Sequence, residues 1–107
     1  MNAARNPTKQ LLEQTLHNIT LKANSNGECC GGDIVDAMRD AGEALEVDRL
    51  EVLVTRTLLM RAMESSGEEY PAEVLQDYEH RMPASQAVSY LRAAIERTTK
   101  MKDSTTV

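Results

Sequence analysis

Apolar residues recur along most of this chain at intervals of three and four, the spacing of one side of an α-helix. The first such segment opens at Asn6 and Pro7, where a capping side chain precedes a proline in the first helical position. Four apolar residues then step by four, three and four: Leu12, Leu16, Ile19 and Ala23. The sequence Asn-Ser-Asn-Gly at 24–27 is typical of a helix end. The pattern therefore predicts a first helix over this segment.

A second and a third helix are predicted on either side of a glycine. Asp33 is placed to cap a short second helix, which Gly42 then ends. The third is expected to be one continuous helix over about 44–66, the longest in the chain, with Gly67 at its end. The β-branched stretch 52–57 would also suit a strand, but good helix formers on both sides of it favour a helix.

Two more helices complete the predicted arrangement. The fourth begins at Tyr70-Pro71 and is broken at Met82-Pro83, because the residue that precedes a proline avoids helical backbone angles. The fifth covers about 84–100. Residues 1–5 and 103–107 are expected to be flexible termini.

The composition indicates a single domain over residues 1–107. This length is enough for one modest core, and 41% hydrophobic with 27% charged residues is a globular balance. With three tyrosines and neither Phe nor Trp, the core has to be built from aliphatic residues, Met and Ala, which favours helices packed on helices. The expected fold class is all-α: a small bundle of about five helices with the long helix 44–66 at its centre, completed by dimerisation.

The third predicted helix carries more apolar residues than one face can hold. Winding it at 100° per residue places four of them on a stripe that we expect to face the core: Val47, Leu50, Val54 and Leu58. Few other helices are available to cover the remaining sides, so we expect another polypeptide to bury them, through homodimerisation, partner binding or both. The predicted dimer or partner interface consists of Val52, Leu53, Leu59, Met60 and Met63. The alternative is that this helix is the central element of a compact monomeric bundle.

Charge is segregated along the chain. The net charge is −5, and the acidic residues concentrate in the segments 28–51 and 64–79. Such a surface repels nucleic acid over most of its area, because phosphate binding needs clustered Lys and Arg. A helix-turn-helix around Gly42 is disfavoured as well, since the helix after the turn would face phosphate with carboxylates. A rival DNA-binding function would have to use the basic C-terminal helix, with Arg92, Arg97, Lys100 and Lys102.

The segment GECCGG at 27–32 holds both cysteines, Cys29 and Cys30. Adjacent cysteines far from both histidines do not have a metal-ligand spacing, and a disulfide between neighbours would be strained. No metal or other cofactor is therefore expected. The glycines favour a flexible connection between the first two helices, with the cysteines tucked under it. A disulfide to the same loop of a second subunit and a redox-sensitive thiol are the alternatives.

The chain lacks the sequence motifs of common enzyme classes. It has no glycine-rich phosphate loop after a strand and no serine framed by glycines as a nucleophile. No window approaches the run of roughly 20 apolar residues that spans a bilayer, and the N-terminus lacks an apolar signal core. We therefore expect a cytoplasmic protein without catalytic activity.

In size, acidity and helix content, with Leu50 to Met63 as its apolar helical stretch, the chain resembles the small all-helical bacterial antiactivators that silence quorum-sensing transcriptional regulators, the QslA type among them. The resemblance implies an adaptor that covers the dimerisation surface of a transcriptional regulator and keeps it off DNA. The acidic segments would orient the approach and favour a basic target. The chain is also similar to secretion chaperones, and a structural subunit of a phage particle or secretion machine is a further alternative.

Overall fold

The computed structural model describes residues 6–23 and 26–105, with side chains through residue 99. Over these residues it contains five helices and one two-stranded sheet, which confirms the all-α prediction. In chain order the elements are α1 (Pro7–Lys22), β1 (Glu28–Cys30), α2 (Gly31–Leu45), α3 (Arg49–Ser65), α4 (Pro71–Gln76), β2 (Arg81–Pro83) and α5 (Ala84–Thr105).

The first helix, α1, lies at the centre of the bundle and packs against α2, α3 and α5. It begins as predicted: the side chain of Asn6 accepts a hydrogen bond from the Lys9 backbone N–H at 3.1 Å, and Pro7 occupies the first turn. Its buried side consists of Leu11, Leu12, Thr15 and Ile19. The central position that the sequence predicted for the third helix therefore belongs to α1.

The predicted continuous helix 44–66 is wrong, because the chain turns between α2 and α3. Gly42 does not end α2, which continues to Leu45. The turn is made by Glu46, whose φ of 57° lies in the left-handed region, and Asp48 then caps α3 by accepting a hydrogen bond from the Glu51 N–H at 2.9 Å.

Gly42 lies at a close contact between these two helices. A Cβ atom at this position would lie 2.8 Å from the Cγ2 atom of Val52. The glycine therefore lets α3 approach α2 closely. This requirement for space explains why a glycine lies inside α2, at a position where the sequence pattern predicted the end of the helix.

The two-stranded sheet joins the chain after α1 to the chain before α5. β1 and β2 are antiparallel, with Cys29 opposite Met82 and Cys30 opposite Arg81. The Ala84 N–H donates to the Gly27 carbonyl oxygen at 2.7 Å and closes one end of the ladder. At three residues each, these strands are too short to produce a readable alternation of apolar and polar positions.

The predicted extent of the fourth helix is wrong: α4 ends at Gln76, and residues 81–83 form β2 instead of continuing the helix to the proline. The other helix ends follow the sequence more closely. Gly67, with a φ of +104°, follows the end of α3, and Pro71 begins α4. The longest helix is α5, with 22 residues against 17 in α3, and it extends past residue 100 to Thr105. The expected flexible segments 1–5 and 106–107 lie outside the described residues, whereas 103–105 belong to α5.

One hydrophobic core connects α1, α2, α3 and α5. Its largest fully buried apolar side chains include Leu11, Leu12, Ile19, Ile34, Met38, Leu59, Met63 and Leu91. Over the part of the chain that the structure describes, none of the helices has the length and apolar character needed to cross a membrane.

Candidate protein-binding surface

Helix α3 is apolar on two opposite sides. Its inner side is buried in the core and consists of Thr55, Leu59, Ala62 and Met63. Its outer side carries Leu50, Leu53 and Val54, which are 67%, 51% and 50% exposed. These three residues, spaced i, i+3 and i+4, share one helix face, here called the α3 outer face.

Two of the predicted interface residues are not on the surface. Leu59 and Met63 are both 0% exposed and belong to the core. The expectation that they await a partner is therefore wrong, because the chain itself covers them. Val52 and Met60 are half-buried against the core, and Leu53 is exposed as the interface prediction requires.

The predicted core stripe of α3 also lies on the wrong side. Leu50 and Val54 were expected to face inward and instead form most of the α3 outer face, while Val47 and Leu58 are only half-buried. The true inner side contains two small residues, Thr55 and Ala62.

Small residues allow close helix packing, which explains the reversal. A stripe that contains Thr55 and Ala62 scores as less hydrophobic than one built from Leu and Val, yet it lets α3 approach its neighbours. The buried hydroxyl of Thr55 has a partner within its own helix, because it donates to the Glu51 carbonyl oxygen at 2.8 Å. The buried side of α5 likewise includes Ala87 and Ala94.

The N-terminal end of α3 is held against α1 by a side-chain hydrogen bond. The hydroxyl of Thr8 in α1 donates to Glu51 Oε2 at 2.7 Å, and the Thr55 hydroxyl lies 3.1 Å from the same oxygen. Leu50 and Leu53 are thus carried on a fixed helix rather than on a loop. Leu45, at the end of α2, is exposed just across the turn and adds to the apolar surface at this corner.

An open groove continues from the α3 outer face along the second half of α3. It has a volume of about 570 Å³ and lies between α3 and the segment that begins α4. Its apolar lining comes from Met60, Tyr70, Pro71 and Ala72, and Thr57 joins it to the α3 outer face. Its charged lining residues are Arg61, Glu64, Glu69 and Glu73.

The segment GECCGG forms a packed junction, so the prediction of a flexible connection is wrong. A Cβ atom at Gly31 would lie 1.7 Å from the Val74 carbonyl oxygen, and one at Gly32 would lie 2.5 Å from the Tyr78 ring. Gly31 is required here, because its close neighbour is backbone, whereas Gly32 lets the Tyr78 ring lie against the start of α2. The backbone N–H of Cys30 donates to Asp33 Oδ2 at 3.1 Å, which fixes the start of α2.

Both cysteines are buried, as expected for small residues tucked under this segment. Cys29 is fully buried, Cys30 almost fully, and both are free thiols. Burial, with a contribution from the nearby Asp33 carboxylate, raises the pKa of Cys29 to about 11. Neither the intersubunit disulfide nor the redox-sensitive thiol fits this position, because each requires an accessible sulfur.

Outside the α3 outer face, His80 and Arg97 each make a local side-chain contact. His80 Nδ1 lies 2.5 Å from Asp77 Oδ2 in an exposed pair on the loop between α4 and β2. Among the described residues, no group of three or more potential metal ligands comes together. Arg97, one of the residues of the basic C-terminal helix, donates to the Ser65 hydroxyl at 3.1 Å and is thereby tied to the end of α3.

Sequence reasoning missed most of the exposed apolar surface. Leu53 on the α3 outer face and Met60 in the groove were predicted to lie in an interface, while Leu50 and Val54 were placed in the core. Tyr70, which is 60% exposed beside Pro71, was interpreted only as a helix boundary. The sequence signal that could have identified this surface is the repeat of apolar residues on the side of α3 opposite to Thr55 and Ala62.

Comparisons of the chain with protein-family models, with curated proteins and with solved structures found no match.

Proposed function

We propose that this chain is a small regulatory or adaptor protein that binds another protein through the α3 outer face. The observation that carries the proposal is the exposure of Leu50, Leu53 and Val54 on a helix whose opposite side already fills the core. Each side chain of this kind contributes on the order of 1.5–3 kcal/mol of favourable free energy when a partner buries it fully. A contiguous apolar surface on a rigid element is typical of a protein interaction site.

The finer form of the proposal is an antiactivator that acts in the bacterial cytoplasm. The chain would cover an apolar surface through which a transcriptional regulator dimerises, and so keep it off DNA. Support for this form comes from the resemblance in size, acidity and helix content to antiactivators of quorum-sensing regulators. Binding alone achieves this occlusion, so the proposal assigns no catalytic step to the chain.

A second copy of the chain is the alternative occupant of the same surface. A two-fold dimer would place Leu50, Leu53 and Val54 of one copy against the same residues of the other. In that case the α3 outer face would be an interface for assembly, and the partner would bind elsewhere on the dimer.

The test compares two exposed leucines that lie on different helices. Leu53→Glu places a charge in the α3 outer face, whereas Leu21→Glu places the same charge on α1, where the leucine is 72% exposed. The wild type and the Leu21→Glu variant should both capture the same specific protein from a lysate of the native host. The Leu53→Glu variant should fail to capture it. Equal retention by all three forms would contradict the proposal, provided that circular dichroism shows each to be folded.

A further inference from the structure

The α3 outer face and the adjoining groove form one continuous strip along the helix. From Leu50 to Glu64 the strip covers fourteen residue steps, roughly 21 Å at 1.5 Å per residue. Thr57 lies on the same side as Leu50 and Leu53 and also lines the groove. An α-helix of about four turns fits this length, and helices commonly dock on such strips through apolar residues spaced i, i+3, i+4 and i+7.

The charges around this strip are mainly negative. In the groove, Glu64, Glu69 and Glu73 are all exposed, and Arg61 is the only basic lining residue. Their carboxylates have no hydrogen-bond or ion-pair partner among the described residues. At the other end of the strip, the exposed Glu46 and Asp48 are accompanied by Arg49 and by Arg56, which lies one turn after Leu53. The excess of carboxylates therefore lies in the groove, and an apolar face that leads into an acidic groove is complementary to an amphipathic helix that carries Lys and Arg beside its apolar stripe.

We propose that the strip binds a cationic amphipathic helix of another polypeptide. The apolar stripe of that helix packs on Leu50, Leu53 and Val54 and reaches Tyr70 in the groove, while its basic side chains lie near Glu64, Glu69 and Glu73. This inference rests on the proposed function, since it takes the α3 outer face as a binding surface, and it adds the chemistry of the partner.

Charge disfavours a second copy of the chain as the occupant. Each copy carries a net charge of −5 and the same carboxylates around the strip. A two-fold pairing through the α3 outer face would bring like charges together along the border of the interface, which opposes association. The same carboxylates attract a cationic helix, so a single surface discriminates between the two occupants.

The test uses a designed peptide as a probe of the strip. A fluorescent peptide of 18 residues, with Leu at helical i, i+3, i+4 and i+7 positions and Lys elsewhere, is titrated with the full chain and followed by anisotropy. A second peptide has the same leucines and Glu in place of every Lys. We expect the lysine peptide to bind at least about tenfold more tightly than the glutamate peptide, the difference that a few exposed charge pairs supply.

Two triple variants with the same net charge locate the binding site. Glu64→Lys, Glu69→Lys and Glu73→Lys together reverse the charge of the groove. The matched control reverses three exposed glutamates on other elements: Glu13→Lys, Glu43→Lys and Glu79→Lys. The groove variant should lose about tenfold or more in affinity for the lysine peptide, and the control should lose much less, because exposed charges act mainly over short distances in salt.

Each other outcome overturns the inference. Equal weakening by the two triple variants would show that the peptide responds only to net charge. Absence of binding to the lysine peptide, or equal affinity for both peptides, would remove the cationic preference. A dimer of the wild type that Leu53→Glu dissociates would make a second copy the occupant. The first three outcomes do not bear on the proposed function, which is tested separately by the capture experiment with Leu53→Glu. The comparison of the two peptides uses only the wild-type chain, so it does not depend on a variant that could misfold.

Discussion

Gly31 and Gly32 show how single residues fix the start of α2. Gly31 faces the Val74 backbone at a distance that no side chain could occupy, and Gly32 faces the Tyr78 ring. The Gly32 N–H also donates to the Asp77 carbonyl oxygen at 2.9 Å, which ties α2 to the end of α4. The two buried cysteines precede this contact directly and share its protection from solvent.

The burial of Cys29 predicts low thiol reactivity in the folded protein. Because its pKa is raised to about 11, only on the order of a thousandth of the thiol is ionised at pH 8, and the thiolate is the reactive form. We expect slow alkylation by iodoacetamide in native buffer and fast alkylation in urea, measured by mass spectrometry. Rapid alkylation of Cys29 in the native protein would show that the junction opens.

The exposed pair of Asp77 and His80 predicts that the stability of the loop between α4 and β2 depends on pH. The hydrogen bond to Asp77 raises the pKa of His80 above its ordinary value of 6.5, and hydrogen bonds from the Glu79 and His80 backbone and from the His80 ring lower the pKa of Asp77 to about 2. The stabilisation from His80 is complete below pH 6.5 and is lost as the pH rises through its folded pKa. The contribution of Asp77 is present above its ordinary value of 3.8 and is lost as the pH falls towards 2.

An NMR titration of the His80 ring checks this prediction. The wild type should titrate above 6.5, and Asp77→Asn should bring the pKa of His80 down towards that value, because the charged hydrogen-bond partner is gone. An unchanged pKa of His80 in the variant would show that the pair does not form in solution.

Among the helices, α3 is the one whose two sides have different roles. The inner leucine, Leu59, is fully buried, and its replacement by Ala should cost about 2–5 kcal/mol in the free energy of unfolding. Leu53→Ala on the α3 outer face should change that free energy by about 0.5 kcal/mol or less. Urea unfolding followed by circular dichroism measures both values. A larger loss for Leu53→Ala than for Leu59→Ala would mean that α3 faces the other way.

Sequence alone predicted the elements better than their orientation. The cap at Asn6, the stop at Gly67 and the start at Pro71 could be read because each depends on local backbone chemistry. The continuation of α2 through Gly42 could not be read, because it depends on the contact with Val52 from another helix. The inner side of α3 was missed for a similar reason: close packing selected Thr55 and Ala62 where hydropathy favours Leu and Val.

The whole molecule is acidic, and this predicts how its associations respond to salt. Attraction between the strip and a cationic helix should weaken as salt is raised, because ions screen opposite charges. Pairing of two copies through the α3 outer face should instead strengthen, since salt screens their mutual repulsion. Sedimentation of the wild type and peptide anisotropy, each at about 50 and 500 mM salt, measure the two trends. Tighter binding of the lysine peptide at high salt would contradict the assigned role of the carboxylates.

The proposed binding role depends on the exposure of the α3 outer face while the opposite side of α3 is buried in the core. Methyl NMR with a soluble paramagnetic compound measures this directly in the isolated protein. The methyl signals of Leu53 and Val54 should be strongly broadened and those of Leu59 should be protected. Protection of Leu53 and Val54 together with broadening of Leu59 would contradict the account.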